Sequence, residues 1–230
     1  MKKISVLTGA GISAESGIST FRDKDGLWEG HDIMEVASPI GWNKNPELVL
    51  NFYNERRKQL LEVKPNIAHE GLVSLEQHFD VDIITQNVDD LHERAGSKKV
   101  THLHGELFKV RSTYNEHLIY DWRKDLIMGD VCEEGHQLRP HIVWFGEMVP
   151  MLQTAVEITV QADILIVIGT SMQVYPAASL INYVARNTPI YFVDPKPSVN
   201  PREFENLTII SKTAAEGVPS LVAQLRDSVF

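Results

Sequence analysis

The residues of this chain best suited to moving a proton near neutral pH are His102 and His104, two positions apart in "THLHGEL". In an extended run they share one face, and the following Gly105 lets a ligand approach the backbone closely. A packed histidine with no chemical role fits the same pattern. Upstream, "TQNVDDLHERAG" sets Gln86, Asn87 and Asp89 directly after an apolar run. Short polar side chains at the C-terminal end of a strand can hold sugar hydroxyls or an amide, or order a water; Asp89 can equally cap the next helix. "GAGISA", Gly9 to Ala14, has the G-x-G-x-x-(G/A) spacing after a first apolar run. Amides at Gly9, Ala10, Gly11 and Ala14 would suit a pyrophosphate, or the stretch is simply a tight strand-to-helix turn. "VIGTSMQVYPAA" repeats the arrangement with Gly169, Thr170 and Ser171. A dehydrogenase would continue from the glycines into a second strand ending in an acidic residue about 20 positions on. Here "TFRDKDGLWEG" stands instead, so the ribose end of any dinucleotide is handled differently.

These residues need a scaffold that brings several strand ends to one edge. Near-continuous apolar runs recur at "ISVLTG" (from Ile4), "VDIITQN" (Val81), "HIVWFGE" (His141), "DILIVIGTS" (Asp163) and "PIYFVDP" (Pro189), as expected of strands buried on both faces of a parallel sheet. Helical spacing marks "NPELVLNFYNERRKQLLE", "NIAHEGLVSLEQHF", "MLQTAVEITVQA", "YPAASLINYVARN" and "EGVPSLVAQLRDSV" between and after them. The alternation predicts an α/β fold, a Rossmann-like doubly wound parallel sheet. Two stretches break it, 30–64 and 109–140, and are read as insertions forming a smaller lobe. Segments 1–29, 65–108 and 141–230 make the larger one, within a single domain. The crevice between lobes is the expected ligand site.

With 230 residues, 43% of them hydrophobic, the chain can bury a sizeable core. No apolar run approaches the roughly 20 residues of a membrane span, and "MKKISVLTGAG" enters a strand without a signal-peptide pattern, so a cytoplasmic protein is expected. The formal charge of −9 argues against nucleic-acid binding. Cys132, the single cysteine, excludes an internal disulfide and any multi-cysteine metal site.

Taken together and in order, "GAGIS", "FR", "TQNVDDLH", "HLHGE", "VWFGE" and "GTS" resemble the motifs of the sirtuins, NAD-dependent protein lysine deacylases, over nearly the whole chain. The resemblance implies a reaction that consumes NAD. An acyl oxygen attacks the nicotinamide ribose, nicotinamide leaves, and His104 as general base activates a ribose hydroxyl against the resulting imidate, giving free lysine and 2′-O-acyl-ADP-ribose. It further implies that Gly9, Ala10, Gly11, Ala14, Phe21, Arg22 and Trp28 belong to the cofactor loop. Gln86, Asn87 and Asp89 would line the ribose and nicotinamide pocket, Asn87 and Asp89 joining His104 in catalysis. Gly169, Thr170, Ser171 and Ala214 would contact the adenosine half. Val143, Phe145, Gly146 and Glu147 would pair as a strand with the substrate peptide backbone.

"FYNERR" places Tyr53 and Arg56 at i, i+3, on one helical face. In sirtuins that remove acidic acyl groups a Tyr-x-x-Arg pair binds the distal carboxylate of succinyl- or malonyl-lysine, and a small residue such as Ala37 widens the acyl tunnel. Guanidinium fork and phenol suit a carboxylate. Arg57 and Lys58 are read as surface. The chain departs from sirtuins in the segment that usually carries four zinc cysteines. Residues 109–140 hold only Cys132, with Ser112 where a first cysteine might stand, and His117 and His136 at irregular spacing. No zinc is expected, and Trp122, Leu126 and Ile127 are expected to hold the lobe instead. The resemblance favours desuccinylation and demalonylation, with deacetylation also open. An ADP-ribosyltransferase and a non-catalytic NAD or ADP-ribose sensor are the alternatives.

Overall fold

A computed structural model describes residues 1–19, 27, 28 and 30–227. Among these, six strands form one parallel sheet: β1 (Lys3–Thr8), β4 (Asp80–Thr85), β5 (Val100–His102), β9 (Ile164–Ile168), β10 (Ile190–Val193) and β11 (Leu207–Ile210). Their spatial order is β11-β10-β9-β1-β4-β5. The chain leaves β1 toward β4 and β5, then returns on the other side of β1 through β9. The order therefore reverses between β1 and β9, and in open α/β sheets the ligand crevice lies outside the strand ends at that point.

The apolar strand runs have a simple cause. Alternate residues of β9 face opposite ways: Ile164, Ile166 and Ile168 pack with α4 (Ile67–Leu75) and α7 (Ala214–Asp227), while Leu165 and Val167 pack beneath α6 (Leu152–Val160) and a 3-10 segment, Ala177–Tyr183. Both faces are covered, so neither admits polar residues. "YPAASLINYVARN", expected as an α-helix, is 3-10 in its central part. Its buried residues Ala177, Ala178, Leu180 and Ile181 come in pairs three apart, the spacing that falls on one face of a 3-10 helix.

The smaller sheet is antiparallel, β7-β6-β8, from β6 (Gly105–Ser112), β7 (Ile119–Asp121) and β8 (Leu138–Ile142). "HIVWFGE" is thus not a strand of the parallel sheet. His141 and Ile142 close β8, and Val143–Glu147 is loop and turn rather than strand. A two-residue pair, β2 (Leu27–Trp28) and β3 (His31–Asp32), precedes three helices, α1 (Ile33–Val36), α2 (Pro39–Lys44) and α3 (Pro46–Glu62). Ser38 and Asn45 cap α2 and α3 by accepting from the Gly41 and Leu48 amides, each followed by proline at the first helical position. A Cβ on Gly41 would lie 2.1 Å from the Glu35 carbonyl oxygen, so this corner needs glycine.

Helix α3 packs on β6 and β8, with Val49, Phe52, Tyr53 and Leu60 against Leu107, Phe108, Ile142 and Trp144. Arg57, expected at the surface, is 1% exposed and structural. Its Nε donates to the Leu107 carbonyl at 3.2 Å and its Nη1 to Asn54 Oδ1 at 2.7 Å. Asn54 in turn holds both the amide (2.9 Å) and the carbonyl (3.0 Å) of Leu126. Leu126 is buried and Trp122 packs beside it as expected, but Ile127 is 60% exposed and contributes little core. Lys58 is a surface residue, ion-paired with Glu55 and Asp125. No helix among the described residues is long and apolar enough to cross a membrane.

Candidate functional site

The C-terminal ends of β1 and β9 meet through glycine. A Cβ on Gly11 would lie 2.5 Å from Gly169 Cα, and one on Gly169, whose φ is +61°, would lie 2.5 Å from the Ile12 amide nitrogen. The Gly11 amide donates to the Gly169 carbonyl at 2.8 Å. These glycines are required by the approach of two loops to each other, before any ligand is considered. The stretch is tethered all round. Asn66, capping α4 (Ile67–Leu75), donates to the Ile12 carbonyl (2.8 Å) and Ser16 Oγ (3.0 Å). The Glu15 carboxylate accepts from Thr213 Oγ1 (3.0 Å) and the Ala215 amide (2.7 Å), which puts Ala214 beside Ala14 at the start of α7. Among the described residues the amides of Ala10, Thr170 and Ser171 have no acceptor, so the cleft carries free main-chain donors of the kind a phosphate or ribose oxygen takes. This donor set fits the pyrophosphate and ribose of NAD. Phe21 and Arg22 lie outside the described residues. Trp28 packs edge-on against Phe52 and Tyr53, at 4.9 and 6.2 Å between ring centroids.

The end of β4 (Asp80–Thr85) supplies the second wall. Asn87 Nδ2 donates to the Gly9 carbonyl and to Ser13 Oγ, each at 3.2 Å, and Ser13 Oγ donates to Asp89 Oδ2 at 2.9 Å. Gln86 reaches across to Thr170 Oγ1 at 3.1 Å. Asp89 Oδ1 accepts from the Leu91 amide at the start of α5 (Leu91–Ala95), the helix-start role open to it, and its other oxygen braces the glycine loop. Burial raises its carboxyl from 3.8 to about 6, against the opposing pull of the Leu91 and Ser13 hydrogen bonds. Ser13 joins the glycine loop to the segment between β4 and α5, and nothing in its sequence context marks it; nor does anything mark Thr8, Thr85 and His92, a buried hydrogen-bonded group beneath Asn87.

Both histidines of "THLHGEL" face this wall. His102 Nδ1 meets the Asn87 carbonyl at 3.1 Å and its Nε2 meets Glu93 at 2.7 Å. Burial pulls its pKa down, but the hydrogen bond and charge of Glu93 outweigh it and hold His102 above the usual value. His104 differs. Its Nδ1 lies 3.0 Å from the Gln86 carbonyl oxygen, an acceptor only, so Nδ1 carries the proton and Nε2 keeps the lone pair. Burial lowers its pKa, partly offset by the Gln86 bond, which leaves a neutral imidazole at physiological pH. The tautomer is fixed, and Nε2 is left able to accept a proton.

The turn Val143–Glu147 hangs beside His104. The Val143 amide donates to the His104 carbonyl and the Phe145 amide to the Ala37 carbonyl, both at 2.9 Å. Glu147, expected to meet substrate, is used internally. It accepts from the Trp144 amide (2.8 Å), from Arg139 (2.6 and 3.1 Å) and from Arg111 (3.3 Å). Phe145 and Gly146 are exposed, and the +91° φ of Gly146 suits glycine. Ala37 and Tyr53 are buried in the same cluster, and Arg56 lies on the next turn of α3 with its guanidinium 4.4 Å over the Phe52 ring. The turn thus touches the main chain of His104 and Ala37 and, through Trp144, the Tyr53 hydroxyl.

At the position of the zinc cysteines, Cys132 Sγ donates to Ser112 Oγ at 3.4 Å, and that hydroxyl also accepts from the Tyr114 and Asn115 amides at 3.2 Å. His136 stacks on Tyr114. Among the described residues no three His, Cys, Asp or Glu side chains gather to hold a metal. One thiol paired with one hydroxyl does not fit tetrahedral zinc.

A family model described as Sir2 family matches residues 9–176. A Helicobacter pylori protein named NAD-dependent protein deacylase is 58% identical over 225 residues, 98% of each chain. A solved Sir2 homolog–NAD complex superimposes with a TM-score of 0.88 at 40% identity, covering 100% of this chain and 91% of that one. A Sir2 complex with a deacetylated p53 peptide and 3′-O-acetyl ADP ribose superimposes with a TM-score of 0.82 at 31% identity, covering 96% and 92%. With its glycine loops meeting at the sheet's switch point, its histidine held by the neighbouring strand end, and its sequence matched across most of its length, this chain belongs to the Sir2 family.

Proposed function

We propose that this chain is an NAD-dependent protein-lysine deacylase that removes succinyl and malonyl groups in preference to acetyl. The observation that carries the deacylase reading is the His104 tautomer: Nδ1 is held by the Gln86 carbonyl just past the end of β4, and the free lone pair is on Nε2. NAD, when bound, supplies the electrophilic ribose carbon and the nicotinamide leaving group. The main-chain donors at Ala10, Thr170 and Ser171 hold it, the Asn87–Ser13–Asp89 chain fixes the loop around it, and His104 Nε2 takes the proton of a ribose hydroxyl. The NAD-binding lobe takes 1–29, 65–108 and 141–230 less the residues of β6, β8 and the turn after β8, which pack with the small lobe of 30–64 and 109–140. The partners are acylated lysines of cytoplasmic proteins, seated against Val143–Gly146.

The acyl preference rests on Tyr53 and Arg56, side by side on α3 behind Ala37. A guanidinium and a phenol favour a carboxylate terminus over a methyl. On one peptide carrying acetyl or succinyl lysine, Arg56→Met lowers the succinyl-to-acetyl ratio of kcat/KM sharply; an unchanged ratio sinks the carboxylate role. The small lobe stands without zinc, held by Asn54, Arg57 and the Ser112–Cys132 pair. Metal analysis of purified protein finds well below one zinc per chain on this reading, and stoichiometric zinc overturns it.

A further inference from the structure

The Tyr53 hydroxyl has a partner that the acyl-carboxylate reading leaves unexplained. Trp144 Nε1 donates to Tyr53 Oη at 3.0 Å, with both groups buried. An indole N–H is a donor only, so it fills an acceptor position on the phenol oxygen and cannot consume the phenol's own proton. Among the described residues no acceptor for that proton is present. Tyr53 is 1% exposed, so its hydroxyl hydrogen is buried with no acceptor among the described residues.

Trp144 cannot swing away to release this arrangement. Its ring lies 3.3 Å from the Arg139 guanidinium and 5.7 Å, centroid to centroid, from Trp42. Its amide is held by Glu147, itself gripped by Arg139 and Arg111. We propose that Trp144 is a specificity-determining positioning residue, whose indole N–H forces the Tyr53 phenol to act as donor toward an acceptor at the far end of the acyl group. A phenylalanine at 144 would fill similar space and leave the phenol free to turn. Burial also raises the Tyr53 pKa, which keeps the proton in place for donation. An acyl chain ending in a carboxylate gives that proton an acceptor; a methyl terminus does not. This inference rests on the proposed role of Tyr53 and Arg56.

The test compares wild type, Trp144→Phe, Tyr53→Phe and the double variant, using NAD and one peptide with acetyl or succinyl lysine. Both substrates are assayed on the same preparation, so any change in folded fraction cancels in the ratio. Trp144→Phe is expected to lower the succinyl-to-acetyl ratio of kcat/KM about tenfold, the scale of one hydrogen bond to a charged group, with the loss in KM for the succinyl peptide. The double variant falls no further than Tyr53→Phe, because Trp144 acts through that hydroxyl. Equal loss on both substrates, or full additivity in the double variant, overturns the inference while a selective loss in Tyr53→Phe keeps the carboxylate reading. A Tyr53→Phe ratio equal to wild type overturns both. If Trp144→Phe does not fold, Trp144→Leu serves in the same comparison.

Discussion

Asp89 is the residue whose ionisation works against the fold, and its replacement gives a signed prediction. Burial lifts its carboxyl from 3.8 in the unfolded chain to about 6 in the folded one. A raised folded-state pKa means that the native state binds the proton more tightly. The associated stability is fully present below pH 3.8 and is lost as pH rises through about 6. The displacement of about two pH units, at about 1.4 kcal/mol each, makes the ionised carboxylate cost about 3 kcal/mol above pH 6. Asp89→Asn removes this titration while keeping an oxygen for the Leu91 amide. Rearrangement around Ser13 adds a constant that does not vary with pH, so the useful quantity is how the stability difference between variant and wild type changes. Urea unfolding at a series of pH values should show that difference moving toward the variant by about 3 kcal/mol across the full range, about half of it between pH 5 and 8. A difference independent of pH, or one moving toward wild type as pH rises, refutes the reasoning. Deacylation by the variant should fall even where it is the more stable protein, since the carboxylate braces the glycine loop through Ser13.

Gly11→Ala places a Cβ 2.5 Å from Gly169 Cα and should cost about 1–3 kcal/mol of stability and weaken NAD binding, read by denaturant unfolding and by calorimetric titration. Asn54→Ala strips the partners of the Leu126 amide and carbonyl and one from Arg57, and should cost about 3 kcal/mol while affecting acetyl and succinyl turnover alike. His104→Asn should lower kcat by about 100-fold or more at little change in NAD affinity. In wild type, because burial depresses the His104 pKa and the base works deprotonated, the acidic limb of kcat/KM should have its midpoint below pH 6.5; a midpoint above 6.5 contradicts the assigned role.

The parallel half of the molecule was legible because each strand is covered on both faces, so burial is written as an unbroken apolar run. β5 and β11 escape that reading because, at the sheet edges, none of their residues is fully buried and their sequences, VTH and LTII, carry no unbroken apolar run. "HIVWFGE" misled for the opposite reason. Its apolar residues look like one buried strand, yet Ile142 ends β8 and Trp144 fills the small-lobe core from a turn. What makes the turn is Glu147, paired with arginines 8 and 36 positions away, and local periodicity carries no trace of such pairing. Arg57 looked solvated for the same reason, since its acceptors come together only when α3 meets β6. The glycines of "GAGISA" and "GTS" let the β1 and β9 loops touch, a duty that their spacing along the chain does not reveal. The histidine pair kept its expected common face, and the structure added what spacing could not: which nitrogen of His104 carries the proton.

The central claim is that NAD is consumed to transfer an acidic acyl group from lysine. The most direct measurement is mass spectrometry of the products formed from NAD and a succinyl-lysine peptide, alongside the acetyl form. Free lysine peptide, nicotinamide and succinyl-ADP-ribose should appear in equal amounts and form faster than the acetyl products. ADP-ribose attached to protein, nicotinamide release without an acylated peptide, or faster deacetylation than desuccinylation would contradict it.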